Sequence, residues 1–595
     1  MKKLIKIALA LAVGFVLYSC EDFLERVPKD ELTTLTSFSS SSGIKSYVWQ
    51  FYTVFPAYDE TYVKSEFNTD LIQEKSKTSY SSWIWQKVEI PTNSDDYTTP
   101  FKNIRACNLL LDNLDESKIS ESEKNHWRSV TYFFKAYNYM DLINKYGDIT
   151  WVEHNLSDGD EETLYGPRTS RDIVAAKILE LLEYAEANIN PDGNVDVDGK
   201  NTINVHVVRA LISRFGLREG TWRKYHGLSD ANTYLNACVS ASEKLLVSFP
   251  DIMDDYAAVY TSESLAGQAG IILYKNYERG QVTHFLSHRV GSSSGYTDLT
   301  RKAVDMYLMT DGQTRWTSPL FQGEYGHKEF KNRDIRLYCS TPMPYKVIAP
   351  GTATTFTYTG NAEDREYLDY FNSLALSGGM KILPVRCWCS WVVDDVPNFM
   401  DNNGGKTWST TLTGYQFWKF GTDLNLDVWG QDMTDAPIFR IGEVMLNYAE
   451  ATKELGDFDQ SICDMTINKL RARGKVAHLN LSNIPADPTR DPEIDPDLWE
   501  IRRERAIELM GDGFRFDDLR RWKKMNYATK QKLGKYIVAA DENNKVPILN
   551  NANEGYVSYF GVPPSFPDYY YLYPIPSNQI ILTNGVVSQN PGWEQ

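Results

Sequence analysis

The stretch Trp499–Met525, WEIRRERAIELMGDGFRFDDLRRWKKM, carries six arginines, two lysines and six carboxylates (Glu500, Glu504, Glu508, Asp512, Asp517 and Asp518). Three chemistries compete for them: a basic strip for nucleic acid, a carboxylate cluster for acid/base or metal work, and a network of ion pairs that holds a fold together. On a helix, residues 498–510 place Trp499, Ala506, Ile507 and Met510 on an inner stripe. Glu500, Glu504 and Glu508 then recur at i, i+4 and i+8. A ridge of like charge destabilises an isolated helix, so this one calls for guanidinium groups from elsewhere in the chain. Gly511 and Gly513 break the helix, and FRFDDLRRW folds back with Arg515, Arg520 and Arg521 available for bidentate pairing. Magnesium and calcium sites use oxygen ligands and rarely sit beside several arginines. The reading that follows is structural: Glu504, Glu508, Arg515, Asp518 and Arg520 belong to an ion-pair network.

The rest of the composition agrees. The chain has 595 residues, 42% hydrophobic and 24% charged, which suits a globular protein of several domain-sized units or one large helical array. Its formal net charge of −17 repels polyanions at long range, so nucleic acid is not an expected partner.

The N-terminus, MKKLIKIALALAVGFVLYSC, has three early lysines, an apolar run from Ile7 to Leu17, and then Cys20. The run is too short to span a bilayer with ordinary flanks and has the layout of a secretory signal. LYSC at its end looks like a bacterial lipobox. Residues 1–19 are therefore expected to be a lipoprotein signal peptide, with lipid on Cys20; several acyl chains together anchor stably where one does not. Residues 20–42, acidic at first and then rich in Ser and Thr, read as a tether. The other six cysteines are too few for a disulfide scaffold in a chain this large, and most are expected to be buried thiols.

Helical periodicity marks residues 101–114 (Ile104, Cys107, Asn108 and Leu111 on one face), 126–148, 170–189, 205–222, 232–248, 436–456 and 459–474. Ser170 is a natural N-cap and Gly147 a natural stop. Pairs of amphipathic helices joined by short loops expose apolar faces that only neighbouring pairs can cover. The expected fold is mostly α: a degenerate tetratricopeptide-like scaffold of helical pairs, interrupted by a large loop-rich insertion at about 275–435.

At the charged stretch the sequence resembles the SusD/RagB outer-membrane lipoproteins of Bacteroidetes. Ile501, Glu504, Arg505, Glu508, Leu509, Gly513, Arg515, Asp518, Leu519, Arg520, Arg521 and Trp522 follow that family's C-terminal signature, with Asp512 where a Glu is usual. CEDFLERVPKDELT, SVTYFFKAYNYMDLINKYGDIT, TGYQFWKF, DAPIFRIGEVMLNYAEATKELG and the tail YLYPIPSNQIILTNGVVSQNPGW look like other segments of the family, so the resemblance covers nearly the whole chain. It implies an N-terminal helical-repeat region (43–274) and a C-terminal region (275–595) on a tetratricopeptide-like scaffold. It also implies a lipid anchor at the cell surface, glycan binding without catalysis, and a TonB-dependent partner transporter of the SusC class.

Sugar rings stack on exposed aromatic faces, with hydroxyls fixed by nearby polar groups. Trp83 and Trp85 in SYSSWIWQKV, Tyr296 in SSSGYTDL, and Trp316 are the candidate glycan-binding residues. NVDVDGKNTINV, Asn194–Val205, partly matches a calcium loop but has Val205 where a bidentate Glu belongs, so a polar turn is the preferred reading and no cofactor is expected. No Gly-rich phosphate loop, GxSxG or HExxH occurs, and His284 and His288 lack a third ligand. A surface glycoside hydrolase, whose two carboxylates leave no sequence mark, and a binder of peptides or other nutrients are the alternatives.

Overall fold

A computed structural model describes residues 38–59, 62–78, 81–190, 201–291, 297–348, 357–358, 395–422 and 429–593. Five long helices make the N-terminal scaffold: α1 (Asp95–Leu114), α2 (Glu121–Tyr146), α3 (Arg171–Asn188), α4 (Val205–His226) and α5 (Ala231–Ser248). Each packs on its neighbour in sequence or the next, α1 on α2, α2 on α3, α4 on α5. A capping box of Ser120 and Glu123 opens α2, and Gly147, at φ 74°, closes it. Ser170 caps α3 and Asn204 caps α4. Gly216 lets α4 lie close against α5: a Cβ there would lie 2.5 Å from the Tyr234 carbonyl oxygen. The buried face of α1 runs through Ile104, Cys107 and Leu110 to Leu114, so Leu110, not the expected Leu111, faces the core.

The segment read as an insertion leaves and re-enters the scaffold on one antiparallel ladder. Strand β2 (Ile271–Lys275) pairs with β7 (Ala436–Arg440), Ile271 opposite Arg440 and Lys275 opposite Ala436. Helix α6 (Arg301–Met306), capped by Thr300, and α7 (Ile335–Ser340), capped by Asp334, lie inside the segment, which was expected to hold only loops and strands. Six-residue helices are too short for periodicity to register. Between and beside them run β3 (Thr297–Leu299), β4 (Tyr345–Ile348), β5 (Thr357–Tyr358) and β6 (Asp395–Val396). Strand β1 (Ile72–Glu74), from before the first long helix, pairs with β3. The chain returns to helix in α8 (Ile441–Leu455), which packs on α5 and α4, then in α9 (Ile467–Arg473), α10 (Pro496–Glu508) and α11 (Arg515–Arg521). A final hairpin pairs β8 (Tyr536–Val538) with β9 (Glu554–Tyr556).

The charged stretch sits at the junction of these parts, and its charges are buried. Glu500 meets Arg471 at 2.6 Å and Glu504 meets Arg336 at 2.5 Å. Glu508 takes Arg336 at 3.2 Å together with Arg440 and Arg473. The like-charged ridge is thus covered by guanidinium groups from the insertion, β7 and α9. Arg515 grips Asp70 with two bonds, of 2.9 and 2.8 Å, and Asp518 is shared by Arg505 and Arg521. Arg520 chiefly serves the main chain, donating to the carbonyls of Asn144 and Tyr571, both at 2.6 Å. Asp512, at the position where a Glu is usual, accepts from Lys419 and Arg440. Burial pushes the Glu508 carboxyl up, but Arg473, Arg440 and Arg336 outweigh it and hold the group below the ordinary carboxylate range.

The tail is stitched back to α2. Asn590 donates to the carbonyls of Tyr146 (3.0 Å) and Tyr573 (2.8 Å), and Gln589 makes two bonds to the backbone of Ile575. Cys107, Cys238, Cys339 and Cys463 are buried free thiols; Cys387 and Cys389 lie outside the described residues.

Candidate functional site

One face of the molecule is assembled from three distant parts of the chain. In the first, β1 sets Gln73 opposite Asp298 and Glu74 opposite Thr297. Residues 81–87 then form a single helical turn. The Ser81 hydroxyl accepts the Ile84 amide at 3.1 Å, and the Lys87 amide closes on the Ser82 carbonyl at 2.7 Å. Gln86 ends the turn at φ 52°, a left-handed conformation uncommon for a residue with a side chain, and its amide donates to the Ser565 carbonyl at 2.5 Å. That bond ties the turn to the second part, residues 556–565 after the β8–β9 hairpin. Half-buried Trp85 there borders a notch of about 20 Å³ with Gln73, Glu74, Phe560 and Pro563. The notch has room for about one water, so a ligand at Trp85 lies over the surface.

The third part is the loop at 395–406. Asp401 pairs with Lys77 and accepts from the Tyr559 hydroxyl at 3.0 Å, while Lys77 lies 5.6 Å from the Tyr559 ring. On the loop's other side, Asn402 donates to Glu542 at 2.8 Å. There it borders a cleft of about 520 Å³ whose walls include Tyr325, Asn398, Asn403, Lys406 and Asp541. Trp85 borders the notch, and Tyr559 bonds Asp401, the neighbour of Asn402 in the cleft's wall.

Buried charge anchors the hairpin that carries this face. Glu329 accepts from Lys535 at 2.7 Å and Tyr415 at 2.6 Å and pairs with Arg301. Burial raises its pKa, yet Arg301 and Lys535 win and bring it down to about 2. Asp298, under β1, is pushed up to about 6 by burial and accepts the Leu412 amide at 2.7 Å.

The sequence model of the SusD family matches residues 269–593, more than half of the chain. The chain belongs to the SusD family. A second model, described as starch-binding associating with outer membrane, matches residues 22–217. Among solved structures, a SusD-like protein from Bacteroides fragilis shares the fold with a TM-score of 0.68 at 19% identity, covering 94% of this chain and 98% of that one. A SusD-like carbohydrate-binding protein, also from Bacteroides fragilis, gives 0.64 at 17% over 93% and 99%. Surface glycan-binding protein A from Bacteroides fluxus gives 0.57 at 16% over 93% and 100%. A curated relative, SusD-like protein P25 of Formosa agariphila, is 24% identical over 191 residues, 29% of this chain and 36% of that protein's own length.

On this SusD-family scaffold the candidate aromatics among the described residues, Trp83, Trp85 and Trp316, do not form one platform. Trp83 is a core residue, 9% exposed, with its ring 4.4 Å from Tyr573 and further contacts to Tyr570, Phe516 and Trp593. Both tryptophans were candidates, but their segment is a helical turn, where residues two apart diverge. Trp316 is 38% exposed and lies under the Arg315 guanidinium at 4.4 Å. Arg315 in turn bonds Tyr556 on β9. Tyr296 and Cys20 lie outside the described residues, as do Asn194–Lys200 of the calcium-loop candidate, while Asn204 spends its side-chain oxygen on the amides of His206 and Val207. His284 is buried and bonded to Thr434. Among the described residues, no group of three or more His, Cys, Asp or Glu could hold a metal ion. Sequence reasoning missed Asp401, Tyr559 and Phe560. The one signal for Tyr559 and Phe560 was SYFGVPPSF, an aromatic pair beside a Gly/Pro-rich turn; Asp401 had none.

Proposed function

We propose that this SusD-family chain is a glycan-binding protein of the outer membrane, held at the cell surface by lipid on Cys20. It captures oligosaccharide or polysaccharide and delivers it, uncleaved, to a SusC-like TonB-dependent transporter. The observation that carries the reading is the three-part face on this family's scaffold. Half-buried Trp85 and Tyr559 offer ring faces to pyranose C–H edges, and the cleft beyond Asp401 is walled by polar side chains, Lys406 and the Asp541 carboxylate among them, that can meet hydroxyls. The family description, starch-binding and associating with outer membrane, supports both the ligand class and the location. Residues 43–274 act as the helical scaffold and 275–595 supply most of the binding face.

Calorimetric titration of the purified protein against a panel of plant, host and microbial polysaccharides tests this. Binding of at least one glycan, weakened by Trp85→Ala, is expected, with no new reducing ends after prolonged incubation. Release of reducing ends would convict the protein of hydrolysis instead. Co-purification of a TonB-dependent transporter from membranes checks the partner.

A further inference from the structure

A second cleft, of about 540 Å³, lies between the start of α6, the loop at 488–492 and the segment 526–533, and shares Lys532 with the notch at Trp85. Its volume falls in the range of small-molecule sites, roughly 300–1,000 Å³. Its carboxylates are already taken. Asp70 is held by Arg515, Asp305 by Arg301 (2.9 Å) and Arg315 (2.8 Å), and Asp491 by Lys524 (2.9 Å) and the Tyr527 hydroxyl (2.5 Å). Its lysines are not. Among the described residues no carboxylate comes within ion-pair distance of Lys302 or Lys530. Lys302 sits 5.4 Å from the ring of Trp499, itself only 6% exposed, and Lys530 5.9 Å from half-buried Tyr527. Lys532 donates only to carbonyls, those of Phe67 (3.2 Å) and Ile72 (2.7 Å).

Lys302 and Lys530 beside the rings of Trp499 and Tyr527, with a partly protonated Lys532 behind them and the neighbouring acids neutralised, make a local positive site on a chain of net charge −17. We propose that this cleft is a second binding site, which takes the carboxylate- or sulfate-bearing residue of an anionic saccharide; this rests on the glycan-binding reading above. The acid group meets Lys302 and Lys530, and the half-exposed Tyr527 ring lies alongside as a stacking surface. Burial pushes the Lys302 pKa down, with Asp70 pulling it back up, and it brings Lys532 to about 7. A bound anion favours both charged forms. Charge-assisted hydrogen bonds of this kind contribute on the order of tenfold in affinity each.

The test titrates the full protein with a uronate trisaccharide, a sulfated oligosaccharide, a neutral oligosaccharide and inorganic sulfate, at low and high salt. At least one of the two acidic probes is expected to bind about tenfold or more tighter than the neutral one. The double variant Lys302→Met, Lys530→Gln is expected to erase that advantage and flatten the salt dependence, with melting unchanged, while Lys302→Arg keeps it. If Lys302→Met melts early, Lys530→Gln alone decides, because Lys530 is exposed; it should weaken the acidic probe by about tenfold, and unchanged binding overturns the proposal. Wild-type affinity of the double variant for the acidic probe also overturns it, as does inorganic sulfate binding as tightly as the saccharide. If no saccharide of any kind binds, the glycan-binding reading itself falls. If neutral saccharides bind in a Trp85-dependent way and acidic ones no better, only this second site falls.

Discussion

Replacing Glu508 with alanine probes the junction where scaffold, insertion and C-terminal helices meet. Glu508 is fully buried and answers Arg336, Arg440 and Arg473, so truncating it leaves three buried guanidinium groups short of their shared acceptor. Breaking a buried pair by removing one partner costs about 3–5 kcal/mol. An unfolding entropy of roughly 2 cal/mol/K per residue over a chain of this length makes 1 kcal/mol worth about 0.8 °C, so a fall in Tm of about 2.5–4 °C is expected. The pH dependence follows from the direction of the shift. The folded pKa of Glu508 lies below its unfolded value, so its contribution is complete above the ordinary glutamate value of 4.5 and is lost as pH falls toward the folded pKa. The gap in Tm between wild type and Glu508→Ala should therefore be full at pH 7 and narrow in acid. Scanning calorimetry at pH 7 and pH 4, with glycan titration alongside, reads both quantities. An unchanged Tm with collapsed glycan affinity would refute the structural reading and move the charged stretch into the ligand site.

Trp83→Ala should cost about 3–5 kcal/mol of stability in urea unfolding, as for a core aromatic, whereas Trp85→Ala should leave stability nearly intact and weaken glycan binding by about 0.5–1.5 kcal/mol in calorimetry. Gly511→Ala should destabilise by about 1–3 kcal/mol in thermal unfolding, because φ there is +77° and the new Cβ would lie 2.5 Å from the Phe417 ring. Burial raises the Glu66 pKa to about 8 against bonds from the Arg515 and Gly513 amides, so the stability that goes with its protonated form is complete below pH 4.5 and is lost as pH rises through 8. Glu66→Gln, which keeps an acceptor for the Gly513 amide, should flatten the decline in Tm between pH 4.5 and pH 8. Cys20→Ala should abolish incorporation of labelled palmitate and release the protein from the membrane fraction; label persisting on the variant would count against the anchor.

The binding face shows why sequence reading stops where it does. Trp83 and Trp85 were singled out together as aromatics in a polar segment, and nothing local separated the two. The difference arises because the turn's backbone is helical and the C-terminal rings of Tyr570, Tyr573 and Trp593 come back to bury Trp83 alone. Asp401, Tyr559 and Lys77 meet only through contacts spanning more than 150 residues, so no window of sequence contains the face they make.

The amino-acid sequence by itself determined the paired helices, because an apolar stripe at a 3.6-residue period needs only local spacing and caps such as Ser120, Ser170 and Asn204. It also demanded partners for the ridge of Glu500, Glu504 and Glu508, since like charges on one helix face are unfavourable alone. Which partners answer was decided by tertiary structure: Arg336 arrives from inside the insertion, Arg440 from the strand that closes it and Arg471 from the preceding helix. A charge declares in sequence that it must be compensated, but not by what, because Coulomb attraction depends on distance in space and carries no record of distance along the chain.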